Sequence, residues 1–162
     1  MTDAPGWTSL DPIADRPRIA ALVARAADYV RLETGRDPDE AFIEENLSGP
    51  PMADIVAIDG YERADGTLGG LQCACRGFYE PGDWYIGLLL LDPSERGRGI
   101  GRAAVDMVKA RDGSGTVRIT VLDANPAGRR FWEREGFRHL KTVEPPASGD
   151  HHTKHVLEWR AA

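Results

Sequence analysis

The sequence predicts an α/β fold in which helices flank a mixed β-sheet. Two observations lead to this fold class. Segments with the spacing of an amphipathic helix lie on both sides of a central region that is rich in strand-forming residues, and a later strand–helix–strand order requires a parallel strand pair. The chain has 162 residues, of which 41 % are hydrophobic, enough for one packed core and too few for two domains. We therefore expect a single domain over residues 1–162.

Two helices are predicted first. Apolar residues recur at the spacing of one helix face from Ile19 to Val30, and Gly35 is expected to end this helix. A shorter helix should follow, with Asp37 as its N-cap and Gly49 at its end. Both helices precede the first predicted strand.

Three antiparallel strands joined by tight turns are predicted in the middle of the chain. They are Asp54–Arg63, Thr67–Tyr79 and Trp84–Leu91, which are rich in residues that favour strands. Gly69 and Gly70 lie together inside the second strand. Paired glycines at such a place indicate a bulge or a close backbone approach.

The second half of the chain predicts a βαβ unit. A helical pattern from Arg98 to Arg111 leads into a strand at Val117–Leu122, which should pair in parallel with Trp84–Leu91. Asn125 is the expected cap of a further helix. The last two predicted strands are Phe137–Val143 and Thr153–Arg160.

Charge and hydropathy argue against several functions. The net charge of −6 at pH 7 opposes nucleic acid or an anionic membrane as the main partner and favours a small cationic substrate. No early apolar run is long enough for a signal peptide or a membrane span. We therefore expect a cytoplasmic protein that binds neither nucleic acid nor membrane.

No metal site is expected. Cys73 and Cys75 lie two residues apart on a predicted strand, where they face the same side in a poor geometry for a disulfide. We expect both to be buried free thiols. His151, His152 and His155 could add ligands, but their spacing matches no standard zinc site.

Residues 88–102 form the most informative segment, because a buried strand runs through a glycine- and arginine-rich turn into a helix. Glycines let backbone amides approach an anion closely, and the start of a helix adds partial positive charge. A pyrophosphate is the expected ligand, and a plain helix start with solvated arginines is the alternative. The spacing of Gly97, Gly99 and Gly101 matches neither a P-loop nor a dinucleotide fingerprint. The arginines are Arg96, Arg98 and Arg102.

Two ordered motifs resemble those of the GNAT acetyltransferases. Residues 96–101, Arg-Gly-Arg-Gly-Ile-Gly, are similar to the family's Arg/Gln-x-x-Gly-x-Gly coenzyme A signature. Residues 125–137 resemble its second block, Asn-x-x-Ala-x-x-Phe-Tyr-x-x-x-Gly-Phe. The resemblance implies the GNAT acyl-CoA N-acyltransferase fold, whose central sheet is splayed. It places acetyl-CoA, as the co-substrate, between the strands Trp84–Leu91 and Val117–Leu122.

The resemblance also implies how the coenzyme is held. Backbone groups of Leu89 and Leu91 would bind the pantetheine arm and the thioester carbonyl. The amides of residues 97–102 would bind the pyrophosphate, and Asn125 would reach the pantetheine. Most of these roles use the main chain, so glycine matters more than side-chain identity in the turn. The full implied set is Leu89, Leu91, Arg96, Gly97, Arg98, Gly99, Ile100, Gly101, Arg102, Asn125 and Trp132.

The proton donor is where the sequence departs from the family. The position of the family's acid tyrosine is Trp132, whose indole N–H cannot act as a proton donor at neutral pH. Two interpretations follow. Either the thiolate leaves without direct protonation, helped by amide hydrogen bonds, or the hydroxyl of Tyr85 or Tyr79 replaces the acid.

The candidate bases are His152, Asp83 and Tyr85. Histidine is the chemically easiest base near neutral pH, so we expect His152 to take this role. Each candidate also has a structural interpretation, as a polar loop residue, a solvated turn acid or a packed strand tyrosine. Residue type and position alone leave the choice open.

Asp28, Tyr29 and Glu33 are the candidate acceptor-binding residues. The resemblance places the wall of the acceptor pocket at the first two helices, and these side chains could form an acidic and aromatic lining for a cation. Ordinary helix surface is the alternative interpretation.

The predicted function is acetyl-CoA-dependent N-acetylation. The acceptor is a primary amine of a small cationic molecule or of a protein, and the amine attacks the thioester directly. A non-catalytic acyl-CoA-binding sensor or structural module of the same fold is the first alternative, and a nucleotide-binding module is the second. Free sheet edges would also be compatible with a homodimer.

Overall fold

The computed structural model describes residues 6–111, 115–147 and 152–162. The strands are β1 Trp7–Ser9, β2 Ile55–Glu62, β3 Leu68–Arg76, β4 Trp84–Leu91, β5 Thr116–Leu122, β6 Arg138–Val143 and β7 Lys154–Arg160. The helices are α1 Arg16–Arg25, α2 Ala27–Thr34, α3 Glu40–Ser48, α4 Ile100–Lys109 and α5 Pro126–Arg134. The strands form one mixed sheet in the order β1-β2-β3-β4-β5-β7-β6. Within the described ranges, every helix is too short or too polar to cross a bilayer.

The predicted α/β class and the order of elements are confirmed. The structure pairs β2, β3 and β4 antiparallel, and β4 with β5 in parallel, as the βαβ unit requires. The short edge strand β1 was not predicted, because three residues are too few for an alternating pattern to stand out. Cys73 and Cys75 are buried free thiols, as expected.

The first predicted helix is wrong in one respect, since it is two helices. α1 ends and α2 begins at Ala26, whose backbone lies outside the helical region at φ −99° and ψ 31°. The apolar spacing continues across this break because Ala26 and Val30 still face the same core. The apolar spacing in the sequence therefore identified the buried face correctly but did not reveal the break at Ala26.

The predicted N-cap of α3 is also wrong. Asp39, rather than Asp37, caps this helix, because its carboxylate accepts a hydrogen bond from the Phe42 amide at 2.8 Å. Asp37 instead accepts a hydrogen bond from Arg31 Nε at 2.6 Å. Gly49 ends the helix at a positive φ of 68°, as predicted.

Side chains from two strands hold α4 against the sheet. The indole Nε1 of Trp7 donates to the carbonyl of Ile100 at 3.1 Å, and the fully buried Gln72 donates to the carbonyl of Ala104 at 2.9 Å. Both acceptors lie in the first half of α4. The start of this helix, where the glycine-rich turn leads in, is therefore fixed by long-range contacts.

The sheet splays between β4 and β5. Their parallel pairing ends at Ile86 opposite Ile119. Beyond this point β5 continues to pair with β7 as far as Leu122, and β4 continues to pair with β3 as far as Leu91. The second halves of the two central strands therefore face each other across an open V, which confirms the predicted splay.

A bulge in β4 begins where the V opens. Cys73 pairs with Leu88 and Ala74 pairs with Ile86, so Gly87 is the extra residue. Trp84 and Ile86 face the core under α4 and α5, whereas Leu88 and Leu90 face the core under α1–α3. The bulge thus reverses which side of the sheet the alternate residues of β4 face.

The bulge predicted in β3 is confirmed. Gly70 pairs with Tyr61 and Leu68 pairs with Glu62, which leaves Gly69 as the extra residue. The amide of Asp92 donates to the carbonyl of Gly69 at 2.9 Å. The β3 bulge therefore contacts the beginning of the turn that follows β4.

Candidate active site

The glycine-rich turn between β4 and α4 has the shape of an anion cradle. Gly97 and Gly99 have positive φ angles of 76° and 79°, and a Cβ added to either would project into open space. Gly99 caps α4 without a side-chain hydrogen bond, so the first amides of a ten-residue helix are left for another acceptor. A Cβ added to Gly101 would lie 3.4 Å from Phe131, an ordinary van der Waals contact, so packing alone does not require glycine there. These features fit a pyrophosphate.

Two buried acids brace this turn. Asp92 accepts hydrogen bonds from Arg25 at 2.7 Å and from the Ser94 amide at 3.0 Å. Glu95 binds both Arg63 and Arg98 at 2.8 Å. Burial opposes ionisation of Asp92, but the bonds from Ser94 and Arg25 outweigh it and hold the pKa of Asp92 well below its usual range. The turn is therefore shaped before any ligand arrives.

The three predicted arginines have different roles in the structure. Arg96 makes a two-pronged ion pair with Asp28 of α2, at 2.6 and 3.0 Å. Arg98 is bound to Glu95. Arg102 is 72 % exposed and lies 3.8 Å from Glu135, which makes it the most accessible of the three for a phosphate.

The start of α5 presents a polar group at the other strand of the V. Asn125 caps α5, and its Oδ1 accepts a hydrogen bond from the Gly128 amide at 2.9 Å. A Cβ on Gly128 would lie 2.5 Å from Asn125 Nδ2. Gly128 is thus required for this orientation of Asn125, a requirement that the sequence did not reveal. The Nδ2 donor is the group by which Asn125 could reach a pantetheine.

Comparison with known proteins agrees with this geometry. Residues 20–137 match the model of the acetyltransferase (GNAT) family. The chain belongs to the GNAT acetyltransferase family. No curated protein sequence matches it.

Solved structures share the fold of this chain. An acetyltransferase from Thermus thermophilus is 21 % identical over 99 % of this chain and 100 % of its own, with a TM-score of 0.76. A GCN5-related N-acetyltransferase from Kribbella flavida is 24 % identical over 96 % of both chains, with a TM-score of 0.68. The identity is too low to transfer an acceptor from either protein.

Three predicted site residues of the GNAT domain come together at the apex of the V. The Tyr85 hydroxyl donates to Thr120 Oγ1 at 3.1 Å, across the point where β4 and β5 separate. Tyr29 of α2 hydrogen-bonds Glu33, and both lie close enough to Tyr85 to interact with it electrostatically. Burial raises the pKa of Tyr85 to about 12 and that of Tyr29 further still. Both phenols are therefore protonated at neutral pH and can donate hydrogen bonds.

The other predicted residues lie apart from this cluster. Asp83 accepts a hydrogen bond from Arg118 at 2.8 Å, and Arg118 also binds Glu158 at 2.9 Å. His152 lies two residues before β7, at the end of β5 opposite from Arg118. His151 lies outside the described residues.

Trp132 occupies the family's acid position as a packing residue. Its ring makes T-shaped contacts with Phe131 and Phe137, with centroids 5.0 and 5.2 Å apart. It packs against the core under α5. The indole thus serves core packing, and it supplies no acidic proton.

A small pocket adjoins the apex on the α1–α3 face. Gly87, which is exposed, and Tyr85 line one end, and Glu45 and Asn46 of α3 line the other. Glu45 and Asn46 were not predicted, because no local pattern separates them from ordinary helix surface. Gly87 did carry a signal, since an isolated glycine within a strand indicates a bulge.

Proposed function

We propose that this GNAT domain transfers the acetyl group of acetyl-CoA to a primary amine of a small cationic molecule. The observation that supports it is the V between β4 and β5, with a bulge at its apex and an uncapped helix start at its mouth. Acetyl-CoA supplies the activated acyl group. Residues of the chain bind acetyl-CoA, position the amine and transfer the proton.

The unpaired half of β4 is the proposed binding site of the pantetheine arm. Among the described residues, no strand pairs with the β5-facing edge of β4 past Gly87. Backbone groups there need hydrogen-bond partners, and those of Leu89 and Leu91 can bind the amides of an extended pantetheine. The amides at the start of α4 and the side chain of Arg102 would hold the pyrophosphate, and Asn125 Nδ2 would bind from the β5 side.

The reaction must move one proton. The amine nitrogen forms the new C–N bond as the C–S bond breaks, and the proton that the nitrogen loses ends on the departing thiol. We assign its delivery to the hydroxyl of Tyr85, which stays protonated at neutral pH. Its removal is assigned to His152, which lies apart from the apex and would therefore act through an intervening water. Glu33 is assigned to the attraction of the cationic acceptor.

The central test combines binding and turnover. A thiol-release assay with acetyl-CoA and a panel of amines is run beside calorimetric titration of coenzyme A. Gly99→Glu places a carboxylate in the proposed phosphate site, and we expect at least a hundredfold loss of coenzyme affinity. Gly66→Glu is the matched control, because Gly66 has a similar φ of 84° and equally open surroundings. Equal binding by the two variants would refute the phosphate site.

A non-catalytic acyl-CoA sensor is the second candidate, favoured by the replacement of the family's acid tyrosine by Trp132. It predicts that wild type binds coenzyme A and releases no thiol with any amine. The transferase proposal predicts turnover, and it also predicts that His152→Ala loses most of that turnover at neutral pH while binding of coenzyme A is retained.

A further inference from the structure

The pocket beside Gly87 has dimensions that restrict the acceptor. Its free volume is about 100 Å³, well below the roughly 300–1,000 Å³ of pockets that hold drug-sized ligands. It extends across β4, β3 and β2, a span of about 10 Å at the usual strand spacing. Its walls between the two ends are mainly apolar and include Val56, Cys73, Ala74 and Cys75. A ligand that fills it is narrow, short and apolar in its middle.

The end of the pocket far from Gly87 carries a negative charge. Glu45 lines it, and no cation among the described residues pairs with its carboxylate. On the same helix, Glu40 and Glu44 are both bound by Arg16, at 3.1 and 2.7 Å. Of these three acids, Glu45 is therefore the one left to attract a ligand's positive charge.

A neighbouring amide completes this end of the pocket. Asn46 donates its Nδ2 to the Phe42 carbonyl at 2.8 Å, which leaves its Oδ1 as an acceptor. Carboxylate and amide oxygens together favour an ammonium group, which has three donors and no acceptor.

We infer that the acceptor is a short linear aliphatic diamine, an inference that rests on the proposed acetyl transfer. One amine, deprotonated, lies at the Gly87 end, where the bulge opens the pocket towards the V. The second amine, as an ammonium, lies at Glu45 and Asn46, and the methylene chain lies along the apolar walls. A monoamine of the same length leaves the carboxylate without its cation.

The test is a steady-state comparison of α,ω-diamines of increasing length with monoalkylamines of the same length, using wild-type protein. We expect an optimum length at which the diamine has a KM about tenfold below that of its monoamine. Glu45→Gln should raise the KM for that diamine about five- to tenfold and should change the monoamine KM much less. Glu44→Gln removes the same charge from the same helix outside the pocket, and should change neither KM.

The outcomes separate the two proposals. Equal KM values for diamines and monoamines, or equal effects of the two glutamate variants, would overturn the diamine inference while acetyl transfer stands. Coenzyme binding without transfer to any amine would overturn the proposed function, and the inference with it.

Discussion

The unpaired half of β4 connects two regions that are built in different ways. At its far end, the glycine-rich turn uses consecutive residues and mostly main-chain groups, braced by the buried acids Asp92 and Glu95. Its near end is the proposed acceptor side, which is the apex cluster together with the adjoining pocket. It combines side chains from α2, α3, β4 and β5. The residues of the first region are consecutive in the chain, although distant residues brace them, whereas those of the second come from separate elements.

This difference has a functional consequence. A ligand that is held by main-chain amides tolerates many side-chain changes, provided that the glycines stay. An acceptor that is held by side chains from separate elements changes identity with one or two substitutions. We therefore expect variants of the turn to affect coenzyme binding, and variants of the acceptor side to affect turnover and acceptor choice.

The largest effect should come from Tyr85→Phe on the acceptor side. We expect kcat to fall about a hundredfold, as for loss of a proton donor, with coenzyme affinity unchanged. Because burial raises the pKa of Tyr85 to about 12, the phenol stays protonated from pH 6 to 9 and the loss should be constant over this range. Stopped-flow thiol release and calorimetry measure the two quantities.

Tyr79→Phe is the matched control for that prediction. The Tyr79 ring packs against Tyr85 with centroids 5.5 Å apart. A comparable loss in both variants would mean that the Tyr79 hydroxyl matters as much as that of Tyr85, and would contradict the assignment of the acid to Tyr85 alone.

A smaller effect, on stability, is expected from substitution of Asp92, one of the two buried acids that brace the turn. Asp92→Asn should lower the free energy of unfolding by about 2 kcal/mol, because it removes a buried charge on which two arginines converge. Asp28→Asn breaks the more exposed pair with Arg96 and should cost about 0.5 kcal/mol. Urea denaturation at pH 7 compares them, and equal costs would contradict the distinction between the buried brace and the exposed pair.

The contribution of Asp92 to the free energy of unfolding should depend on pH in a defined direction. The pKa of Asp92 in the folded protein is depressed, so its contribution is complete above the unfolded value of about 3.9. The contribution is lost as pH falls from there towards the folded value. The gap between wild type and Asp92→Asn should therefore be constant at neutral pH and shrink below about pH 4.

What could be predicted from the sequence follows the same division between consecutive residues and residues from separate elements. The turn and the second motif were predictable because each is written in adjacent residues, and the V was expected because the family that these motifs resemble has a splayed sheet. The ion pair between Asp28 and Arg96 joins residues 68 positions apart, and no local pattern encodes such a contact. Asp28 was predicted as an acceptor ligand, and the structure pairs its carboxylate with Arg96 of the glycine-rich turn. Glu45 and Asn46 were missed for the same reason.

Gly128→Ala should produce the smallest functional change of this set, about a five- to tenfold weaker binding of coenzyme A. The new Cβ would lie 2.5 Å from Asn125 Nδ2, so the Asn125 side chain must leave its present position. Alanine favours a helix by about 1 kcal/mol over glycine, which opposes loss of stability and keeps the two effects apart. Asn125→Ala should weaken binding equally, and the double variant should be no worse than either single one. Additive losses would show that Gly128 acts independently of Asn125, and that the amide of Asn125 is not what the glycine protects.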